Sequence, residues 1–151
     1  MVHFELQNAA DKLIQEIFQV RKDETVIITA DTGSDMELVN GVASSAYSAG
    51  AKPMVITLAM PRGVGKAADP DLPVAELTGA LAACDVWIEF NHQWLLYSTP
   101  FEEALKRNPK LRYMCLVDFD CNLLIRLVGK VKTKQLKKFM TRVAELHQTA
   151  K

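Results

Sequence analysis

The chain has 151 residues and a mass of 16.8 kDa, enough for one domain of ordinary size and no second large one. Apolar residues at 49% supply a core, and charged residues at 24% argue against a disordered chain. The net charge is zero, and no apolar block reaches the 18 residues that a membrane helix needs.

The first segment reads as a helix, because Leu6, Ala10, Leu13, Ile14, Ile17 and Phe18 fall on one stripe at 3.6-residue spacing. After the polar turn Arg21-Lys22-Asp23-Glu24, residues 25–30 (TVIITA) form a β-branched run without alternation. Such a run suits a strand covered on both faces of a parallel sheet. Asp31-Thr32-Gly33 breaks it. Ser34-Asp35-Met36-Glu37 then has the form of a capping box, with Ser34 as the cap of a helix running to about Ala49. Gly50 suits its left-handed end and Pro53 forbids its continuation.

Residues 54–58 are the second expected strand, and residues 60–72 a mobile Gly- and Pro-rich surface loop. Pro73 fits the first turn of a third helix reaching about Ala83, and residues 86–90 are the third strand. Thr99-Pro100-Phe101-Glu102 is a second capping box, with Pro at the first helical position, and Asn108-Pro109 ends that helix. Residues 111–117 are the fourth strand. Asp118 or Asp120 can cap a short helix carrying Leu123, Leu124, Leu127 and Val128, closed by Gly129.

The last helix is amphipathic, with Leu136, Phe139, Met140, Val143 and Leu146 on one face. Residues 130–151 carry seven Lys or Arg against Glu145, whereas residues 1–129 carry eleven basic and seventeen acidic side chains. No aromatic residue sits on the basic face to stack a base, so it reads as a solvated back and not as a nucleic-acid surface. The pattern ends without Gly, Asn or Pro, which leaves open a longer chain of which this is the front part.

Strict strand–helix alternation predicts a single α/β domain over residues 1–151. Its core is an open, doubly wound parallel sheet of about four strands, ordered 2-1-3-4, with helices on both faces. No membrane or nucleic-acid partner is expected.

Motifs for chemistry are sparse. Gly63-Val64-Gly65-Lys66 lacks the first glycine, the following hydroxyl and the helix start of a phosphate-binding loop. Asp31-Thr32-Gly33-Ser34 matches an aspartic protease string, yet that chemistry needs two carboxylates on an all-β fold. The histidines His3, His92 and His147 have no ligand-type residue at workable spacing, so no complete zinc or iron site and no catalytic residue is assigned. Cys84, Cys115 and Cys121, an odd number with no C-x-x-C, read as buried apolar residues in a reducing cytoplasm, and the N-terminus has no secretory-signal pattern. Trp94-Leu95-Leu96-Tyr97 is an apolar run in a loop, as a packed lid over the sheet end or an interface would require. Candidate cleft residues are Asp31, Thr32, Asn91, His92 and Asp118, all near carboxyl ends of strands, where open α/β sheets bind ligands.

Three strings carry a resemblance: ETVIITADTGSDMELVNGVASSAYSAGAKPMVI, LPVAELTGALAACDVWIEFNHQWLLYSTPFEEAL and NPKLRYMCLVDFDCNLLIRLVGKV. From about Ala9 onward the chain resembles the N-terminal domain of the aminopeptidase T-like metalloenzyme family. That family holds leucyl aminopeptidases of the thermophilic metallopeptidase type and 2,5-dihydroxypyridine 5,6-dioxygenases. The resemblance implies a parent of about twice this length, with a divalent metal (Zn, Fe, Co or Mn) held by His, Asp and Glu residues of the second half. It also implies a small-molecule or peptide substrate and a homo-oligomer. No ligand carries over to a residue of this chain. A stand-alone binding module and an oligomerisation module are the remaining expectations.

Overall fold

The computed structural model of the protein describes residues 3–149; the chain end at 150–151, including Lys151 of the basic tail, lies outside the described residues. Helix α1 (His3–Lys12) runs on into a π turn, Leu13–Ile17. Then follow β1 (Thr25–Asp31), α2 (Met36–Ser48), β2 (Lys52–Leu58), a 3-10 turn (Gly65–Asp71), α3 (Val74–Ala83) and β3 (Val86–Glu89). The remainder is α4 (Thr99–Arg107), β4 (Arg112–Cys115), α5 (Cys121–Leu124) with a π turn (Ile125–Gly129), and α6 (Thr133–Thr149).

All four strands are parallel, in the order β2-β1-β3-β4, as the alternation predicts. The register pairs Ile28 with Val55 on one side and with Ile88 on the other. β1 and β3 are central, and this explains their continuous apolar runs: both faces are covered. Val26, Ile28, Ala30, Val86 and Ile88 pack into one core with α1, α2 and α5, built on Leu6, Leu13, Val42 and Leu124. Ile27 and Trp87 face the other core, with Leu77 and Leu81 of α3 and Ala104 of α4. The Trp87 indole donates to the Thr29 hydroxyl at 2.9 Å, so a polar residue of the central strand is satisfied inside the core.

Several boundaries differ from the sequence reading. β2 begins at Lys52 and accommodates Pro53, because an edge strand leaves one side of its backbone unpaired. Asp35, not Ser34, caps α2: its carboxylate accepts from the amides of Glu37 and Leu38. Ser98, not Thr99, caps α4, and the Thr99 amide and hydroxyl bond Asp69 instead. In both places a neighbouring side chain is drawn away by a long-range partner. Pro73 stands at the cap of α3, one position before its first turn. Asp120, the second of the two candidates, caps α5 through the Leu123 amide at 2.7 Å.

The segment 60–72 is no free loop. Its 3-10 turn is tied to the loop after β3 by Gly65 N–H to the Trp94 carbonyl at 2.9 Å, and to α4 by Asp69 and Thr99. Leu127 is exposed, so it does not join the core that Leu124 and Val128 enter. Cys84 and Cys121 are buried as expected, whereas Cys115, on edge strand β4, is half-buried. No described helix is long and apolar enough to cross a membrane.

Candidate functional site at the carboxyl edge of the sheet

Strand order reverses between β1 and β3, so the two chains leaving these strands diverge and open a crevice at their carboxyl ends. Asp31, the last residue of β1, is fully buried there. Its Oδ1 accepts from the Gly33 amide at 2.9 Å and its Oδ2 from the Gln93 amide at 2.9 Å. The Asp31 amide donates to the Ser34 hydroxyl, which in turn donates to the Phe90 carbonyl, at 2.8 and 2.9 Å. Asp31 and Ser34 thus latch the turn after β1 to the loop after β3. The carboxylate is used up in holding backbone and is not presented to a ligand.

His92 and Asp118 are separated by 26 positions in the chain yet meet beside this crevice, between the loops after β3 and β4: the Asp118 carboxylate engages His92 Nδ1. Both side chains are about half exposed or more. Asp118 holds a left-handed backbone (φ 57°), a state that Asp, like Asn, adopts more readily than most residues. Gly33 admits the His92 side chain: a Cβ there would lie 3.1 Å from His92 Cβ. With Nδ1 held, Nε2 is the ring nitrogen left for a ligand. A cleft of about 120 Å³ runs beside the pair, lined by Gly33, Ser34, Asp35, Phe90, Phe119 and Asp120 besides.

The other two candidates do not line that cleft. Thr32 is exposed, and its hydroxyl accepts from the Met60 amide at 3.3 Å. Asn91 is fully buried, with neither side-chain polar atom hydrogen-bonded to protein. Of the five residues singled out from sequence, the structure therefore joins His92 with Asp118, gives Asp31 a framework role beside them, and sets Thr32 and Asn91 apart.

Asp35 and Asp120 add negative charge to the cleft, but both serve as helix caps, and Asp35 also accepts from the Cys121 amide at 3.0 Å. Burial pushes the Asp35 carboxyl up, yet the Cys121, Leu38 and Glu37 amides outweigh it and hold the group below its ordinary value. Among the described residues no three His, Cys, Asp or Glu side chains are grouped to hold a metal ion, so these residues do not fit the divalent metal that the resemblance implies.

Glu89 escaped the sequence reading. It is fully buried on β3, accepts from the Leu95 amide through Oε1, and meets the Tyr113 hydroxyl through Oε2. Burial pushes its carboxyl above the ordinary range, against the Tyr113 and Leu95 hydrogen bonds that pull it down. It fastens the 91–98 loop, which carries His92, to the sheet. The available signal was an acid inside the otherwise apolar run Val86-Trp87-Ile88-Glu89-Phe90, which in a two-sided sheet must be buried and partnered.

The chain matches no protein-family model and no curated protein. Its fold is similar to that of a 2,5-dihydroxypyridine dioxygenase from Pseudomonas putida KT2440, at a TM-score of 0.60 and 21% identity, over 81% of this chain and 36% of that one. It is also similar to AmpT from Thermus thermophilus, at a TM-score of 0.53 and 13% identity, over 86% of this chain and 43% of that one. The chain spans less than half the length of either protein, and at these identities the likeness is one of fold.

Proposed function

We propose that this chain is the N-terminal α/β half of a metal-dependent, aminopeptidase-like enzyme of the leucyl aminopeptidase type, acting on a peptide or small-molecule substrate in the cytoplasm. The observation that carries the reading is the solvent-facing His92–Asp118 pair beside the switch point of a fold similar to that of AmpT. The divalent metal (Zn, Fe, Co or Mn) would belong to the C-terminal half, as the family resemblance implies. The part played by the chain is then binding and orientation. Asp118 fixes the His92 ring, Nε2 meets a polar group of the substrate, and Asp31, Ser34 and Glu89 hold the loops that carry them.

A second reading, ring cleavage of a 2,5-dihydroxypyridine, is favoured by the fold match to the Pseudomonas putida dioxygenase, at a TM-score of 0.60. Intact mass of the protein isolated from its source cells tests the common premise. A mass about twice the chain's 16.8 kDa is expected, since 81% and 86% of this chain cover 36% and 43% of its two neighbours. In the long protein, release of leucine from a leucyl anilide that is lost on chelation supports the peptidase. Oxygen uptake with 2,5-dihydroxypyridine supports the second reading. Turnover of either substrate by the 151-residue chain alone would sink the division of labour.

A further inference from the structure

We propose that the loop over residues 91–98 is a proton-controlled latch: neutral Glu89 holds it on the sheet, and ionisation of Glu89 releases it together with His92. Glu89 and Leu95 are fully buried, and the Glu89 carboxyl meets the Leu95 amide and the Tyr113 hydroxyl. Neither of these partners is a cation. Glu89 pairs with Thr29 in the register, and Asp31, two residues on, puts a second buried carboxyl on the same face of the sheet. Asp31 holds the Gln93 amide as Glu89 holds that of Leu95. Two acids buried together without a counter-ion favour the state in which one keeps its proton. The other titratable groups facing Glu89 are Tyr113 and Cys115 of β4. Helices α3 and α4 turn Leu77, Leu81 and Ala104 to this core, none of them titratable.

The closed loop is finely balanced, because it carries costs that opening removes. Asn91 is fully buried, with neither polar atom of its side chain hydrogen-bonded to protein. Tyr97 holds φ 68°, a left-handed state that bulky residues rarely adopt, within the turn closed by the Ser98 amide on the Leu95 carbonyl at 2.8 Å. Against these stand the burial of Leu95, the two carboxyl–amide bonds, and the Gly65 amide on the Trp94 carbonyl at 2.9 Å. Charge on Glu89 tips the balance. Burial pushes its carboxyl up, the bonds from Tyr113, Leu95 and Cys115 pull it down, and Asp31 pushes it up, for a net rise above 4.5. With the folded-state value raised, the closed loop is fully favoured below 4.5 and loses ground as pH climbs toward that value.

The latch does not rest on the proposed enzymatic role, and its test reads no activity. Amide exchange of the 151-residue chain is followed by NMR from about pH 4.5 to 8 and divided by the intrinsic rates. Gln93 and Leu95 should exchange at least about tenfold faster than Ile28 and Ile88 of the central strands, by local opening. Their protection should fall as pH rises, by at most about tenfold per pH unit, and then level off. Glu89→Gln should remove this pH dependence and keep Leu95 protected throughout. Tyr113→Phe takes away a bond that favours the charged form, so the levelling-off should move to higher pH. Wild-type protection that is flat over the range overturns the latch. So does exchange of Gln93 and Leu95 no faster than that of Ile28, a pH dependence that survives Glu89→Gln, or a levelling-off that Tyr113→Phe leaves in place or moves to lower pH. If Glu89→Gln does not fold, the wild-type and Tyr113→Phe profiles decide.

Discussion

Glu89 and Arg112 show how single buried or half-buried charges are managed in this fold. Removing the Glu89 carboxylate by Glu89→Leu leaves the Leu95 amide and Tyr113 hydroxyl without their partner, which should cost about 2–4 kcal/mol in urea unfolding at pH 7. Glu89→Gln keeps an acceptor for Leu95 and should match or exceed wild-type stability there. The sign follows from linkage. The folded-state pKa of Glu89 lies above its ordinary 4.5, so its contribution is fully present below that value and is lost as pH rises through the folded pKa. Glu24 has the opposite sign. Burial raises its carboxyl, but the Arg112 guanidinium and the Arg21 amide outweigh this and hold it below 4.5. Its contribution is present above 4.5 and is lost as pH falls through the lowered value. Arg112 reaches from β4 to that carboxylate at 2.5 Å and to the Phe18 carbonyl at 2.7 Å. Arg112→Met should therefore cost about 2–3 kcal/mol at pH 7 and flatten the acid limb of the stability profile. Thiol chemistry follows the same logic of burial. The Cys84 thiol is pushed up to about 11 and Cys121 to about 12, burial being the first cause in each.

At the scale of elements, caps and close approaches decide where helices stop and how near they come. Asp35→Ala removes an acceptor from two α2 amides and from Cys121, whereas Ser34→Ala removes the link from the turn after β1 to Phe90. The first should lower stability by about 1–2 kcal/mol with a loss of helical ellipticity. The second should loosen amide exchange at the β1–β3 crevice with helix content unchanged. Gly65 stands at φ +55°, and a Cβ there would lie 2.9 Å from the Leu96 carbonyl oxygen. Gly65→Ala should then cost about 1–3 kcal/mol, read by thermal unfolding, because strain and a backbone clash coincide. Gly129 serves a different purpose: it brings the π turn after α5 against α1, where an added Cβ would sit 3.0 Å from that of Ala9. That contact is the seam between the first and last parts of the larger core.

For the whole molecule, the sheet brings four chain ends to one edge and leaves the last helix outside the body. The first property places His92 where a second half could deliver a substrate. In a long parent protein, His92→Ala should raise KM more than it lowers kcat, as lost ground-state binding does. A kcat loss of about 10³-fold with KM unchanged would make His92 an acid–base catalyst and contradict the binding role given to it. The 151-residue chain itself, dialysed and analysed for zinc, iron, cobalt and manganese, should hold less than one metal ion per chain, because its described His, Cys, Asp and Glu residues do not converge. The second property leaves the apolar face of α6 exposed, with Leu136, Phe139, Val143 and Leu146 uncovered by the described residues.

The sequence alone determined the alternation of elements, which rests on local rules, and narrowed the strand order to a few topologies, of which the tertiary structure holds β2-β1-β3-β4. β-branched runs prefer strands, Gly50 and Pro53 close α2, and right-handed crossovers leave few topologies. It also placed His92 and Asp118 at strand ends. Tertiary structure alone decided which polar groups meet. Ser34 and Asp35, like Ser98 and Thr99, are adjacent residues equally able to cap, and the choice fell to distant partners, Phe90 and Cys121 in one case and Asp69 in the other. The joining of His92 to Asp118 spans two loops, and no spacing in the chain announces it. The apolar stripe of α6 likewise declares a face that needs cover. Whether the same chain supplies that cover is a matter of where the helix points, and a periodic pattern carries no information about direction.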